Sequence, residues 1–299
     1  MKVCIIGTNG FLATAIGQCL SDIDGCEILA CGRTAPSEYE FTAFKKIDIN
    51  VSILDPTWFQ SSDIIIYCAG AGIQSQNKDN PKDIYTLNTE TPLNLCIGLR
   101  EVSYTGTFIT FGSVFEMGAT SDKELFTEQD ITTSTCEAPN DYVVSKRLLT
   151  RFVSSYKRDF RHLHFIIPTI YGSGENPNRL IPYTVHSIKS NQPLHFTSGS
   201  QIRQYLHVRD ASKAIVNSIK GNVPGGIYNL SSTDVCSVKE IVEYLFQLAG
   251  KKLPMNSFGQ AQRQDACMQF LALNGSKLKN FIGEYQSIDL SQVLTEYFK

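Results

Sequence analysis

Hydrophobic and polar positions fall into alternating blocks along the first half of the chain. The run "KVCIIG" at 2–7 is apolar almost without interruption, which suits a strand buried on both faces. It is followed by "FLATAIGQCLSD", in which Phe11, Leu12, Ala15, Ile16, Cys19 and Leu20 recur at the spacing of one helical face. The same reading gives strands at "EILACG", "FKKIDI", "DIIIYCAG", "TFITFG" and "HFIIPTIYG", with helices near 51–60, 81–100 and 141–158 separating the later ones. Continuous apolar strands alternating with helices predict an α/β fold, a doubly wound parallel sheet covered on both faces. After Tyr171 the pattern loosens, as Pro177, Pro182, Pro193 and several glycines intervene. Residues 1–170 are therefore expected to form the main domain, joined by a strand returning near 205–231, where "GGIYNLSS" stands. Residues 171–299 are expected to form most of a smaller, discontinuous C-terminal lobe.

Composition narrows the class without changing this picture. The 299 residues are 42% hydrophobic and 19% charged, enough to bury a full core. A net charge of −2 gives no reason to expect nucleic acid or an anionic membrane as partner. No apolar run approaches the ~18 residues of a membrane span. The opening "MKVCIIGTNG" meets glycine too soon for the apolar core of a signal peptide, so a cytoplasmic protein is the default expectation. The nine cysteines include no C-x-x-C pair, and most lie inside apolar runs, where a reduced cysteine acts as a small core hydrophobe. Neither a metal site nor a disulfide framework is expected.

Candidate chemistry begins at the first turn. Gly7-Thr8-Asn9-Gly10-Phe11-Leu12-Ala13 ends the first strand and opens the first helix. Glycines there let the chain turn tightly and approach a pyrophosphate, whose charge a helix N-terminus favours. The second strand ends "ILACGRT", without the acidic residue that usually holds the ribose 2′-hydroxyl of NAD. Arg33 stands nearby, and a guanidinium suits a 2′-phosphate. An ordinary strand–helix turn and a solvated surface arginine are the bland alternatives. The cofactor expected is NADP(H), with NAD(H) as the other choice.

Ser113 lies just past the strand "GTFITFG", and Tyr142 and Lys146 share one helical face at i and i+4. With 13 tyrosines in the chain, about one such spacing is expected by chance, so the pair alone proves little. Chemically the three side chains make a proton relay for a ketone or alcohol. An ammonium ~4 Å from the phenol could stabilise its anion by up to ~4 kcal/mol, about three pKa units.

Taken together, "GTNGFLA", "IDI" at 47–49, "YCAGAG", Asn88 in "YTLNTETPLNL", Ser113, "YVVSK" and "IIPTIYGSG" carry a resemblance. "GSQIRQYLHVRDASKAI", with an Arg-x-x-x-x-Val-x-Asp pattern, and "GGIYNLSS" extend it over nearly the full length. The chain resembles the extended short-chain dehydrogenase/reductase family, in its nucleotide-sugar epimerase, dehydratase and 4-ketoreductase group, which implies a Rossmann-like sheet. By that resemblance Ser113 would bond the substrate oxygen, Tyr142 would transfer its proton, and Lys146 would hold the nicotinamide ribose. The cofactor would further meet Gly7, Asn9, Gly10, Phe11, Leu12, Arg33, Asp48, Ala69, Gly70, Ala71, Asn88, Pro168, Thr169 and Ile170. Arg203 and Arg263 would face the diphosphate of a nucleotide sugar, with Arg179 and Ser113 also on the substrate. Local bonding for Asn88, a plain strand end for Asp48 and surface ion pairs for the arginines remain open as alternatives. The resemblance also implies a homodimer, paired through helices at 83–99 and 142–158.

Departures from the family pattern bear on the reaction. The family's dehydratases carry Asp-Glu directly after the catalytic hydroxyl residue, where this chain has Val114-Phe115 and Glu116 is out of step. Its 3,5-epimerizing reductases carry a cysteine where Phe115 stands. What remains is NADPH-dependent reduction of a nucleotide-linked 4-keto-6-deoxysugar, with a nucleotide-sugar 4-epimerase as the alternative. A sensing protein that keeps the fold and lacks turnover is the third reading.

Overall fold

The computed structural model describes residues 1–72, 79–120 and 123–298. The chain opens with β1 (Lys2–Ile6), α1 (Phe11–Ser21), β2 (Glu27–Gly32), β3 (Ala43–Lys46) and β4 (Ile64–Tyr67). Next, α2 (Pro81–Tyr85) runs through a π-helical turn at Thr86–Glu90 into α3 (Thr91–Glu101), and β5 (Thr107–Ser113) follows. A 3-10 turn at Val114–Met117 leads to α4 (Glu128–Thr133), α5 (Asp141–Ser155), β6 (Arg161–Ile167) and β7 (Thr169–Tyr171). Then come α6 (Leu180–Ser190), β8 (Ile202–His207), α7 (Val208–Lys220), β9 (Gly226–Asn229) and β10 (Val235–Ser237). The chain finishes with α8 (Val238–Leu248), β11 (Phe270–Leu271), α9 (Ser276–Ile282) and α10 (Leu290–Glu296).

Seven parallel strands form one sheet in the order β3-β2-β1-β4-β5-β6-β9. The central strands β1 and β4 are almost wholly apolar because both faces are covered. Val3 and Ile5 of β1 pack with Ile16 and Leu20 of α1 and Ile215 of α7, whereas Cys4 and Ile6 pack with Leu95 and Leu99 of α3. Each large apolar side chain buried this way contributes ~1.5–3 kcal/mol, so the sheet is fixed from both sides. The connection order reverses between β1 and β4, opening a crevice at their carboxyl ends. This is the Rossmann-like doubly wound arrangement.

Three details depart from the pattern reading. Residues 51–60 hold only a 3-10 turn at Pro56–Phe59, since Val51 and Ile53 are 83% and 91% exposed and find no core to pack on. "HFIIPTIYG" is two strands, because Pro168 has no N–H for the ladder. β6 stays in the main sheet, and β7 joins β8, β10 and β11 in a second sheet. The stretch 205–231 likewise divides: β9 pairs β6 in the main sheet, and β8 belongs to the second. A separate core, built on Tyr171, Ile181, Tyr205, Leu245 and Leu294, fills the C-terminal portion. Among the described residues no helix is long and apolar enough to cross a membrane.

Asp210 ties these parts together. Its carboxylate is fully buried on α7 and accepts from the Ser287 amide (2.8 Å), the Ser287 hydroxyl (2.7 Å) and the Ile288 amide (2.9 Å). The aspartate of the Arg-x-x-x-x-Val-x-Asp pattern thus anchors the segment between α9 and α10. Hydrogen bonds to a charged acceptor are worth ~1.5–3 kcal/mol each, and the two amides left behind would be unsatisfied. Asp210→Ala is expected to cost ~2–4 kcal/mol of stability. A urea midpoint within error of the parent would show that the segment is held by other contacts.

Candidate active site

The glycine turn is the tightest point of the crevice. Gly7 has φ +90°, and a Cβ there would lie 2.6 Å from the Ala69 amide nitrogen. No residue but glycine fits. The Gly7 amide donates to Cys31 O (2.8 Å), Gly10 to Gly7 O (3.2 Å), and Thr14 to Gly10 O (2.9 Å), which starts α1. No side chain caps this helix, so its first amides stay available to an anion. Asn9 donates to the Thr34 carbonyl (3.0 Å) and hydroxyl (2.8 Å), pinning the β2 end to the turn.

From this turn a cleft of about 300 Å³ extends over the ends of β2 and β3 and is lined by Gly7, Asn9, Gly10, Arg33, Asp48, Ala69 and Gly70. Ile47 donates to Gly32 O at 2.8 Å, which sets Asp48 beside Arg33. On the other side a hollow of about 570 Å³ shares Asn9, Gly10, Ala69 and Gly70 and reaches Phe11, Leu12, Ala71, Asn88, Tyr142, Lys146, Ile170 and Arg179. Residues placed far apart in the chain thus line one continuous groove. It fits an extended ligand with phosphates at its middle.

Asn88 does not bond within its own helix. The π-helical turn projects it so that its Nδ2 donates to Ala71 O (2.9 Å) and Ser145 Oγ (3.0 Å), while its Oδ1 accepts the Ala71 amide (3.0 Å). It clamps the loop after β4 to α5. Thr89 reinforces the clamp through the Ser145 carbonyl at 2.8 Å.

On α5, whose first turn is capped by Asn140, Tyr142 and Lys146 face the hollow and are almost wholly buried. The Ser113 hydroxyl stands beside the Tyr142 phenol and favours its ionised form. Lys146 Nζ donates to Phe111 O at 3.0 Å. Burial lowers Lys146 to about 8, and Glu116 opposes that fall. Burial raises Tyr142 to about 12, with the Ser113 hydroxyl pulling it down and Glu116 pushing it up. The phenol is therefore held protonated, contrary to the ammonium-driven lowering expected from spacing alone. Desolvation is the largest cause, and the lysine's amine is turned to the Phe111 carbonyl.

Ser113, Pro168, Thr169, Arg203 and Arg263 sit outside this lining. Pro168 is buried at the strand break. Arg203 is buried and donates to Ile202 O (2.9 Å) and Met268 O (2.8 Å), with its guanidinium 5.6 Å from the Phe115 ring centroid. Phe115 in turn meets the Tyr142 ring edge-on at 6.4 Å. Arg263 is half exposed and paired with Asp265 at 2.9 Å. Arg179 does line the hollow, 3.5 Å from the buried Glu175, which also accepts the Tyr297 hydroxyl at 2.9 Å. Glu175 and Glu116 were missed by sequence reasoning. Only Glu116 carried a signal, as the fourth residue of a Ser-x-x-Glu capping box. Among the described residues no cluster suits a metal ion.

Comparison with known proteins bears on the family and the fold. A UDP-glucose 4-epimerase of Corynebacterium glutamicum is 22% identical over 284 residues, covering 85% of this chain and 82% of that protein. A dTDP-glucose 4,6-dehydratase of Neisseria gonorrhoeae is 28% identical over 151 residues, 48% of this chain and 41% of that one. In fold, the chain is similar to MoeE5 in complex with UDP-glucuronic acid and NAD, with TM-score 0.83, 17% identity and coverage of 100% and 99% of the two chains. The family model described as the NAD dependent epimerase/dehydratase family matches residues 3–231, from β1 through the Ser113, Tyr142 and Lys146 cluster to β9, and the chain belongs to that family.

Proposed function

We propose that this protein is an NADPH-dependent reductase that converts the C4 ketone of a nucleotide-linked 4-keto-6-deoxysugar to a hydroxyl. One observation carries the reading: the Tyr142 phenol shares a hollow with Lys146 and Asn88 that runs on into the glycine turn. The residues present fit a dinucleotide. The α1 amides would take the pyrophosphate, Arg33 a 2′-phosphate, and Lys146 the nicotinamide ribose. When bound, the cofactor supplies the hydride. Ser113 would hold the ketone oxygen, and Tyr142 would give its proton to that oxygen as charge develops there. A phenol near 12 is protonated at neutral pH, ready to donate. Lys146 would then stabilise the phenolate that remains.

Arg179 and Glu175 border the hollow on the C-terminal side, the side we assign to the sugar. The lobe of residues 171–299 would supply the rest of the nucleotide-sugar site, with Arg203 and Arg263 as its cations. A 4-epimerase is the second reading. It is favoured by the relative that covers 85% of this chain, a UDP-glucose 4-epimerase. It would use the same three side chains and NAD(H).

Tyr142→Phe should abolish turnover while leaving cofactor binding intact, because the phenol is needed only when the proton moves. Rates comparable with the parent would remove Tyr142 from the chemistry. Arg33→Ala should weaken NADPH binding about 10- to 150-fold, the worth of one charge-assisted hydrogen bond, and leave NADH nearly unchanged. Equal losses for both cofactors would mean that Arg33 does not read the 2′-phosphate. The two reactions separate by stoichiometry when nucleotide-linked 4-ketosugars are supplied with NADPH. A reductase consumes NADPH one-for-one and yields a product two mass units heavier. Interconversion of two sugars of equal mass on catalytic cofactor would establish the epimerase instead.

A further inference from the structure

Glu116 has no part in the chemistry described so far, yet it lies fully buried behind it. Its Oε1 accepts the Ser113 amide at 2.7 Å, closing a capping box on the 3-10 turn. Its Oε2 is buried and makes no hydrogen bond of ordinary length. Gly112 makes the room: a Cβ there would lie 2.5 Å from Glu116 Oε1 and 2.8 Å from His164 Nε2. The chain has capping boxes also at Thr127/Asp130 and Ser237/Glu240, and those acids are bonded at exposed positions. A cap needs only an acceptor. Burying a carboxylate with one oxygen unsatisfied is costly, and capping alone does not require it.

What lies around Glu116 suggests its use. From α5, Tyr142, Lys146 and Arg147 act on it, and Thr150 stands beside it. Thr150 Oγ1 is engaged with His164 Nε2 (2.9 Å), whose Nδ1 meets Thr110 Oγ1 (2.7 Å), which also meets His162 Nε2 (2.8 Å). Both imidazoles are kept neutral by burial, and the one cation of β6, Arg161, sits at its first residue on Thr107 and Asn222. On α4, Asp130 caps its own helix, and Glu128 bonds the Asn229 amide at 2.9 Å. Arg147 donates to the main-chain carbonyls of Glu116 (2.6 Å), Cys136 (2.7 Å) and Met117 (2.9 Å). Lys146 Nζ is held at the Phe111 carbonyl (3.0 Å), and Glu116 Oε1 lies against the next residue, Gly112, so the two groups meet the same end of β5. Glu116 is the first acidic group acting on Lys146 and the Cys68 thiol the second. Burial pushes that thiol far above neutrality, so it carries no charge.

We propose that Glu116 is a positioning residue with two tasks: its carboxylate fixes Ser113 and serves as the buried counter-charge of Lys146. The inference rests on the reading of Tyr142 and Lys146 as the working pair. Burial raises Glu116 itself to about 7. As pH rises through that value the carboxylate ionises and supports the ammonium, until Lys146 loses its proton near 8. Without the carboxylate, the lysine would release its proton earlier.

The test is Glu116→Gln, which keeps an acceptor for the Ser113 amide and removes the charge. Lysine labelled with ¹³C at Cε, with Lys146 assigned through Lys146→Arg, reports the ammonium directly and needs no substrate. The Lys146 midpoint should fall by about one pH unit in Glu116→Gln, the low end of what an opposite charge nearby supplies. The alkaline limb of kcat should move with it while KM stays put. An unmoved midpoint in a folded variant would reduce Glu116 to a cap. Should the variant not fold, the parent's Lys146 resonance must still show a second inflection near pH 7, and its absence overturns the proposal. A shifted midpoint in a protein that turns over no nucleotide sugar supports the role of Glu116 and counts against the proposed reaction alone.

Discussion

The approach of Gly7 to Ala69 is the contact on which the rest of the groove depends. β1 and β4 are hydrogen-bonded neighbours, and the chain leaves β1 in one direction and β4 in the other. Where they part, the Gly7 α-carbon lies against the Ala69 backbone so closely that any Cβ would collide. That closeness aims the amides of α1 across the crevice and brings the loop 69–72 within reach of Asn88. The Asn88 clamp then fixes this loop relative to Ser145, and so relative to the helical face that carries Tyr142 and Lys146. A single steric constraint at residue 7 is thereby passed, through backbone and one amide side chain, to the other end of the groove.

Burial does the second half of the work. Tyr142, Lys146 and Glu116 are all displaced from their ordinary protonation ranges, and in each case desolvation is the largest cause. Loss of water disfavours the phenolate, the ammonium and the carboxylate alike. The result is a cluster whose charges are weakly held and depend on one another. The spacing argument, which weighed only the lysine against the tyrosine, had the sign of the tyrosine's shift wrong because it left desolvation out.

What could be read from the sequence was what is local or periodic. The β1–α1 turn, the shared face of Tyr142 and Lys146 and the buried strands follow from spacings of a few residues, and the coordinates reproduce them. The return of β9 beside β6 was readable from "GGIYNLSS" as well. The losses are non-local. The apolar residues of 51–60 matched a helix, yet nothing in the fold comes to cover Val51 and Ile53. Pro168 sat in plain view within an apolar run, and its effect, sending β7 to another sheet, needed β8 to be in place first. Glu116 was set aside for being out of step with a family pattern, although its Ser-x-x-Glu spacing stated a local bond that the fold does make. Its burial, the property that gives it consequence, depends on Gly112, Thr150 and His164 from three other elements.

The same distinction explains why the shape of the sugar-side wall lies beyond sequence reasoning. Glu175 is fixed by Arg179 four residues away and by Tyr297, 122 residues away. Arg203 is held by the carbonyl of Met268, 65 residues away, and meets Tyr142 only through the ring of Phe115. Apart from the i,i+4 pair of Glu175 and Arg179, these contacts join residues far apart in the chain, and no period or spacing announces them. The glycine turn and the Tyr142 face sit on short, repetitive elements that any sheet of this kind must contain. The wall on the other side is assembled from segments distant in the chain, among them Glu175, Arg203, Met268 and Tyr297. Under the proposed function, such a fold would keep Tyr142 and Lys146 in place and leave the choice of sugar to residues that meet only in three dimensions.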